Sequence, residues 1–195
     1  MTFDLSNYAS PETVIGAFVI LLLIVALVSV LVHRRRRETA RLRTRFGAEY
    51  DLAVQIEGSR SRAEARLRER LQRVKVLNIR ELTASQRNRY LAEWDALQSQ
   101  FIDYPTAAVT EAEWLVNSVL QARGFPASMF EQRAEDMSVD YAHLVPPFRA
   151  AHKIALRAGR NEATTEELRT AMINFRAMLD ELLGAVTAVE ARALV

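Results

Sequence analysis

The sequence predicts an all-α protein in which one N-terminal transmembrane helix is followed by a cytoplasmic helical bundle of about five helices. Three observations carry that prediction. The run from Val14 to Val32 contains no charged side chain. Beyond it, apolar residues recur at the three- and four-residue spacing of a helix face, and no stretch alternates with the two-residue period of a strand. Finally, three Ser/Thr-x-x-Glu/Gln sequences mark helix starts, because the hydroxyl and the amide or carboxylate can satisfy exposed backbone donors reciprocally.

The apolar run spans roughly 28 Å as a helix at about 1.5 Å per residue, against a hydrocarbon core about 30 Å thick. A single helix satisfies its own backbone hydrogen bonds in lipid, so the many β-branched residues are tolerated there. A cleaved signal peptide would carry its positive charges before the apolar run. Here Asp4 and Glu12 precede it, whereas Arg34, Arg35, Arg36, Arg37, Arg41, Arg43 and Arg45 follow it with only Glu38 opposing them. The positive-inside tendency then places the C-terminal side in the cytoplasm. Residues 1–12 become a short extracytoplasmic N-terminus, 13–33 the membrane helix, 34–80 a basic juxtamembrane helical linker and 81–195 an acidic bundle. The seven arginines are expected to contact anionic lipid headgroups, at about 1 kcal/mol each.

The helix is expected to continue to Phe46 and to stop or hinge at Gly47, with a second segment from Ala48 to Glu57 ending at Gly58. Residues 60–75 place Ala63, Leu67, Leu71 and Val74 on one narrow stripe among charges. That is a contact seam for packing within the chain in preference to a coiled coil, since two heptads are short for autonomous pairing. Thr83-Ala-Ser-Gln86 opens the next helix, along which Tyr90, Leu91, Trp94, Leu97 and Phe101 recur at helical spacing as core. Asp103-Tyr104-Pro105 ends it and starts another, from Val109 through Leu120, which Gly124-Phe125-Pro126 terminates. Ser128 to Glu131 reads as a second capping box, opening a helix to about Met137. Pro146 and Pro147 call for a kink or a fresh helix start, and that helix should reach Gly159. A third box, Thr164 to Glu167, begins a last helix through Leu168, Met172, Phe175, Leu179, Leu182 and Val186.

Charge is segregated along the chain. Residues 1–80 hold 15 basic and 8 acidic groups, and residues 81–195 hold 11 and 16. With no cysteine, disulfides, thiolate nucleophiles and thiolate metal sites are excluded. His33, His143 and His152 lack the i, i+4 or Glu-x-x-His spacing of a metal site, and no glycine-rich phosphate loop or nucleophile elbow is present. The acidic set Glu131, Glu135, Asp136 and Asp140 reads as a solvated helix face. No catalytic residue, metal ligand or cofactor is predicted. A basic stretch without interleaved aromatics, attached to an acidic domain, disfavours nucleic acid as a partner.

Arg45-Phe-Gly-Ala-Glu-Tyr-Asp51, Asp103-Tyr-Pro-Thr-Ala-Ala108, Glu113-Trp-Leu-Val116, Arg123-Gly-Phe-Pro126 and Phe130-Glu-Gln-Arg-Ala-Glu-Asp-Met-Ser-Val-Asp140 resemble a family of uncharacterised bacterial proteins with one membrane anchor, over about residues 45–183. The resemblance implies a bacterial inner-membrane placement and carries no functional residues. The expectation is therefore a non-enzymatic, membrane-anchored interaction protein, an adaptor or an accessory subunit of a larger membrane complex. Its partner surface is expected near Phe125, Pro126, Phe130, Pro146, Pro147 and Phe148, where irregular backbone leaves apolar side chains less enclosed. The alternatives are a membrane-tethered enzyme or metal binder using His143 and His152, and an envelope-associated nucleic-acid binder using residues 34–75.

Overall fold

A computed structural model describes residues 11–193, with side chains described for residues 15–184. Most of the expected extracytoplasmic N-terminus, including Asp4, and the side chain of Val186 lie outside those residues. The protein is 83% helical, with eight α-helices and no strand among the described residues. Contacts divide the chain into two units, one ending at Thr44 and the other beginning at Arg45. Among the described residues the first unit is a single helix, the larger part of α1 (Pro11–Phe46), and every large apolar side chain in it from Ile15 to Val32 is exposed.

The second unit opens with the end of α1, which stops at Gly47. That residue adopts φ +52° and ψ −126°, a conformation that favours glycine. Helices α2 (Ala48–Glu57) and α3 (Arg60–Lys75) follow, separated by Gly58 in the left-handed region. They pack against each other and bury Tyr50, Ala53, Ala63 and Leu67. Residues 45–75, expected as part of a linker, thus belong to the compact unit, and α3 also packs on α6. The contact seam of α3 differs from expectation in one position: Leu71 is half-buried, while Arg70 is buried beside Ala63, Leu67 and Val74.

The remaining helices are α4 (Ala84–Asp103), α5 (Pro105–Ala122), α6 (Phe130–Met137), α7 (Val145–Ala158) and α8 (Thr165–Ala193), with a 3-10 turn at Ala142–Leu144. Helix α5 packs on α4, α7 and α8, and α7 packs on α8 and α6. Their facing stripes form one core that includes Trp94, Val109, Val116, Leu120, Phe148, Phe175, Met178 and Leu179. Each fully buried Leu, Phe or Met contributes about 1.5–3 kcal/mol of transfer free energy, which holds the helices of the bundle together. Proline sits in the first turn of both α5 and α7, where the missing amide costs nothing. Pro146 and Pro147 therefore start a helix and do not kink one.

Two of the three expected capping boxes form. Thr83 Oγ1 accepts from the Gln86 amide at 3.2 Å while Gln86 Oε1 accepts from the Thr83 amide at 3.0 Å. The Glu167 amide donates to Thr164 Oγ1 at 3.3 Å, and the Thr164 amide donates to Glu167 Oε2 at 2.8 Å. The Ser128 box does not form. Helix α6 starts one residue later than that box requires, Met129 occupies the cap position without a side-chain bond, and the Ser128 carbonyl accepts from Arg133 Nη2 at 2.6 Å.

The connection from α3 to α4 crosses the end of α5 at Gly124. Its φ is +102°, and an added Cβ would stand 2.3 Å from the Asn78 carbonyl oxygen. The Arg80 amide donates to the Arg123 carbonyl at 2.8 Å and Arg80 Nε to the Ala122 carbonyl at 2.9 Å, so this approach is locked from both sides. Gly124→Ala should destabilise the fold by well over about 1 kcal/mol, read as a lower urea midpoint with an unchanged m-value.

Arg157 bonds the Glu167 carboxylate, and Thr164 adds backbone and side-chain bonds, so the Glu167 carboxyl is held down to about 2 from an ordinary value of 4.5. A depressed pKa stabilises the folded state above about 4.5, and that stabilisation disappears as pH falls toward 2. The melting temperature of Glu167→Gln should therefore lie below wild type at neutral pH and converge with it through that acidic window.

Candidate functional site

The exposed apolar helix and the arginines after it form the first candidate site. Among the described residues α1 is the one helix long and apolar enough to cross a membrane. Its register brings Arg34, Arg35, Arg36, Arg37, Arg41 and Arg43 immediately after the apolar run, all exposed. Arg45, the seventh arginine expected at headgroups, is engaged elsewhere. Its Nε donates to the Val139 carbonyl and its Nη2 to Asp140 Oδ1, both at 3.0 Å, so it ties the start of the second unit to the segment after α6.

The second candidate is a charged cluster enclosed by α2, α3, α6 and α7. Arg70, only 5% exposed, donates through Nη2 to Glu135 Oε1 at 2.9 Å and lies 3.8 Å from Glu49 Oε2. Arg73 Nε donates to Asp136 Oδ1 at 2.7 Å and Nη2 to Glu135 Oε2 at 3.1 Å. Arg149 Nη1 donates to Glu49 Oε1 at 2.5 Å, and its Nε to Glu131 Oε2 at 3.2 Å. Burial lowers the Arg70 pKa even though Glu135 and Glu49 favour its charge. For Arg73 the burial penalty is outweighed by the bonds and charges of Asp136 and Glu135, and its pKa is raised. The three enclosed carboxylates of Glu49, Glu135 and Asp136 face three arginines, and such pairing is the condition under which buried ions can be held.

This cluster corrects the reading of Glu131, Glu135, Asp136 and Asp140 as a solvated face. Asp136 is 1% exposed and Glu135 lies between Arg70 and Arg73; only Glu131 and Asp140 stand at the surface. Arginines of α3 are the physical reason, since they turn the acidic side of α6 inward. They also reduce the basic surface between residues 34 and 75 that a nucleic acid could reach.

The surface expected near the irregular backbone is divided between interior and exterior. Phe125 is 2% exposed and Phe148 fully buried. Phe130 is half-buried, its ring stacked on His152 with centroids 3.6 Å apart and tilted against Phe148 at 4.6 Å. Pro126 and Pro146 are exposed and Pro147 is half-buried. Bundle packing closes over the aromatics and leaves proline edges and Met129, 85% exposed, outside.

The histidines do not converge. His152 Nδ1 meets Glu113 Oε1 across α7 and α5, whereas His143 is exposed and 3.9 Å from Glu181. No group of three or more His, Asp or Glu side chains suited to a metal ion occurs among the described residues. Large exposed apolar side chains lie elsewhere, at Ile102, Tyr104, Trp114 and Ile173. Sequence periodicity could have marked Trp114, which falls off the buried stripe of α5.

No family model matches the chain, and no curated protein or solved structure matches it.

Removing one partner of a buried ion pair strands the other charge, a loss of about 3–5 kcal/mol. Arg70→Ala should therefore cost several times more stability than Arg89→Ala, which removes an exposed pair with Glu93 and a contact with the Tyr90 ring. Chemical denaturation of the two variants gives that comparison directly.

Proposed function

We propose that this chain is a non-enzymatic, single-pass membrane protein holding a helical interaction domain at the cytoplasmic face of a bacterial inner membrane, as an adaptor or an accessory subunit of a larger complex. The observation that carries the reading is the exposure of fourteen large apolar side chains between Ile15 and Val32. In water, helix-wide exposure of that kind costs on the order of 20 kcal/mol relative to an apolar surrounding. A bilayer removes that cost. The six exposed arginines that follow would lie among anionic headgroups and set the orientation.

The domain's ionisable side chains are consistent with structural work. The buried carboxylates are paired with arginines, and His152 is held between Phe130 and Glu113. A helical bundle carrying exposed Trp114, Tyr104 and Ile173 suits protein contact, since tryptophan and tyrosine dominate binding energetics at interfaces.

The intact chain should stay in the membrane fraction through alkaline carbonate washing. Protease added outside sealed spheroplasts should leave residues 45–195 intact, and the same protease should digest them in inverted vesicles. Recovery in the aqueous fraction would overturn the anchor, and digestion from outside would overturn the orientation.

A further inference from the structure

Two exposed features flank α4 and are complementary to each other. On one flank, α4 and α5 enclose an open groove of about 380 Å³ whose lining includes Glu93, Leu97, Glu111 and Trp114 and no lysine or arginine. Trp114 is 75% exposed in the middle of α5 and adjoins Ala96, Leu97 and Leu115 in the groove lining, so its indole extends a continuous apolar patch. On the neighbouring flank, α8 presents Arg169, Ile173 and Arg176 at i, i+4 and i+7, hence on one helix face, where they border an open groove of about 330 Å³ shared with Trp94, Phe101 and Met172. Ile173 is 62% exposed between the two guanidinium groups.

These charges are held locally by surface contacts: Arg169 with Glu166 at 2.8 Å, Arg176 with Asp180 at 2.9 Å and over the Trp94 ring at 5.7 Å, Glu93 with Arg89 at 3.4 Å, and Glu111 accepting from Gln100 Nε2 at 3.1 Å. Pairs of this exposed kind are weak, so each group can exchange its partner for a better enclosed one. We propose that the acidic, tryptophan-bearing groove of one copy receives the Arg169–Ile173–Arg176 ridge of a second copy, reciprocally about a two-fold axis. The occupant is a second copy because both halves of the contact lie beside the same helix. One rotation makes each contact twice and closes the assembly as a dimer. Within it, Ile173 covers the apolar floor near Leu97, the arginines meet Glu93 and Glu111, and a guanidinium can lie over the Trp114 ring.

This deepens the interaction reading and rests on it, while making no use of the membrane anchor. The test uses the full chain in nanodiscs or mild detergent, with dimer fraction measured by sedimentation or mass photometry. The Glu93→Arg/Glu111→Arg variant and the Arg169→Glu/Arg176→Glu variant should each dimerise at least about tenfold more weakly than wild type, because like charges then face each other. Mixing the two variants should restore the dimer, since each groove then meets a ridge of opposite sign. Ile173→Ala, which changes no charge and trims only an exposed side chain, should also weaken dimerisation. A wild-type chain that is monomeric throughout, a dimer indifferent to both charge reversals, or one indifferent to Ile173→Ala would overturn the proposal. So would a mixture that stays monomeric while each variant keeps wild-type helix content and melting temperature. A chain retained in membranes yet monomeric defeats the two-fold contact alone; a dimer in the aqueous fraction defeats the anchor alone.

Discussion

Apolar surface in water is the constraint from which the rest of this molecule follows. The helix from Ile15 to Val32 has large aliphatic side chains on every side, so no single packing partner could cover it. A surrounding apolar solvent can. Because a helix satisfies its own backbone groups, the segment needs nothing further to be stable there. The abrupt change to arginine at residue 34 then has a physical sense: it marks the plane at which the preferred solvent changes. In the proposed arrangement the six exposed arginines hold that plane, and Arg45 holds the first contact of the folded unit through Val139 and Asp140.

Within the folded unit, two kinds of cohesion act in different places. Helices α4, α5, α7 and α8 are joined by an aliphatic and aromatic core, which is tolerant of direction. The hairpin of α2 and α3 is joined to α6 and α7 through Glu49, Arg70, Arg73, Glu135, Asp136 and Arg149. Such a cluster adds little net stability over an apolar equivalent, yet it penalises any displacement that would strand a charge. The position of α3 is therefore tightly defined although its buried stripe is thin. Gly124 reinforces this, since the chain leaving α3 passes against it within the distance that any Cβ would occupy.

The fold was legible in the sequence wherever a local rule decides the outcome. Gly47, Gly58 and the Thr83 and Thr164 boxes bound their helices as capping chemistry requires, and the apolar periodicities of α4, α5 and α8 mark their buried faces. Ser128 does not cap because α6 begins one residue later, with Met129 at the cap position. Arg70 and Asp136 were illegible because their partners are distant in sequence. Helical periodicity assigns charged residues to the surface, and Arg70 meets Glu49 and Glu135, which lie far from it along the chain. Phe125 and Phe148 show the converse error: turn-forming neighbours suggested exposure, but the bundle closes over both rings. Trp114 and Ile173 fall off the buried stripes of α5 and α8 and so could be marked from periodicity, but that they lie on either side of α4 is visible only once the helices are docked.

The account's central claim is that α1 lies in lipid over its apolar length. Because the chain has no cysteine, single substitutions report solvent access without background. Leu23→Cys, at the middle of the apolar run, should resist a membrane-impermeant maleimide in sealed membranes and react once detergent or denaturant is added, while Thr39→Cys reacts from the cytoplasmic side alone. Ready labelling of Leu23→Cys in intact membranes would contradict the claim.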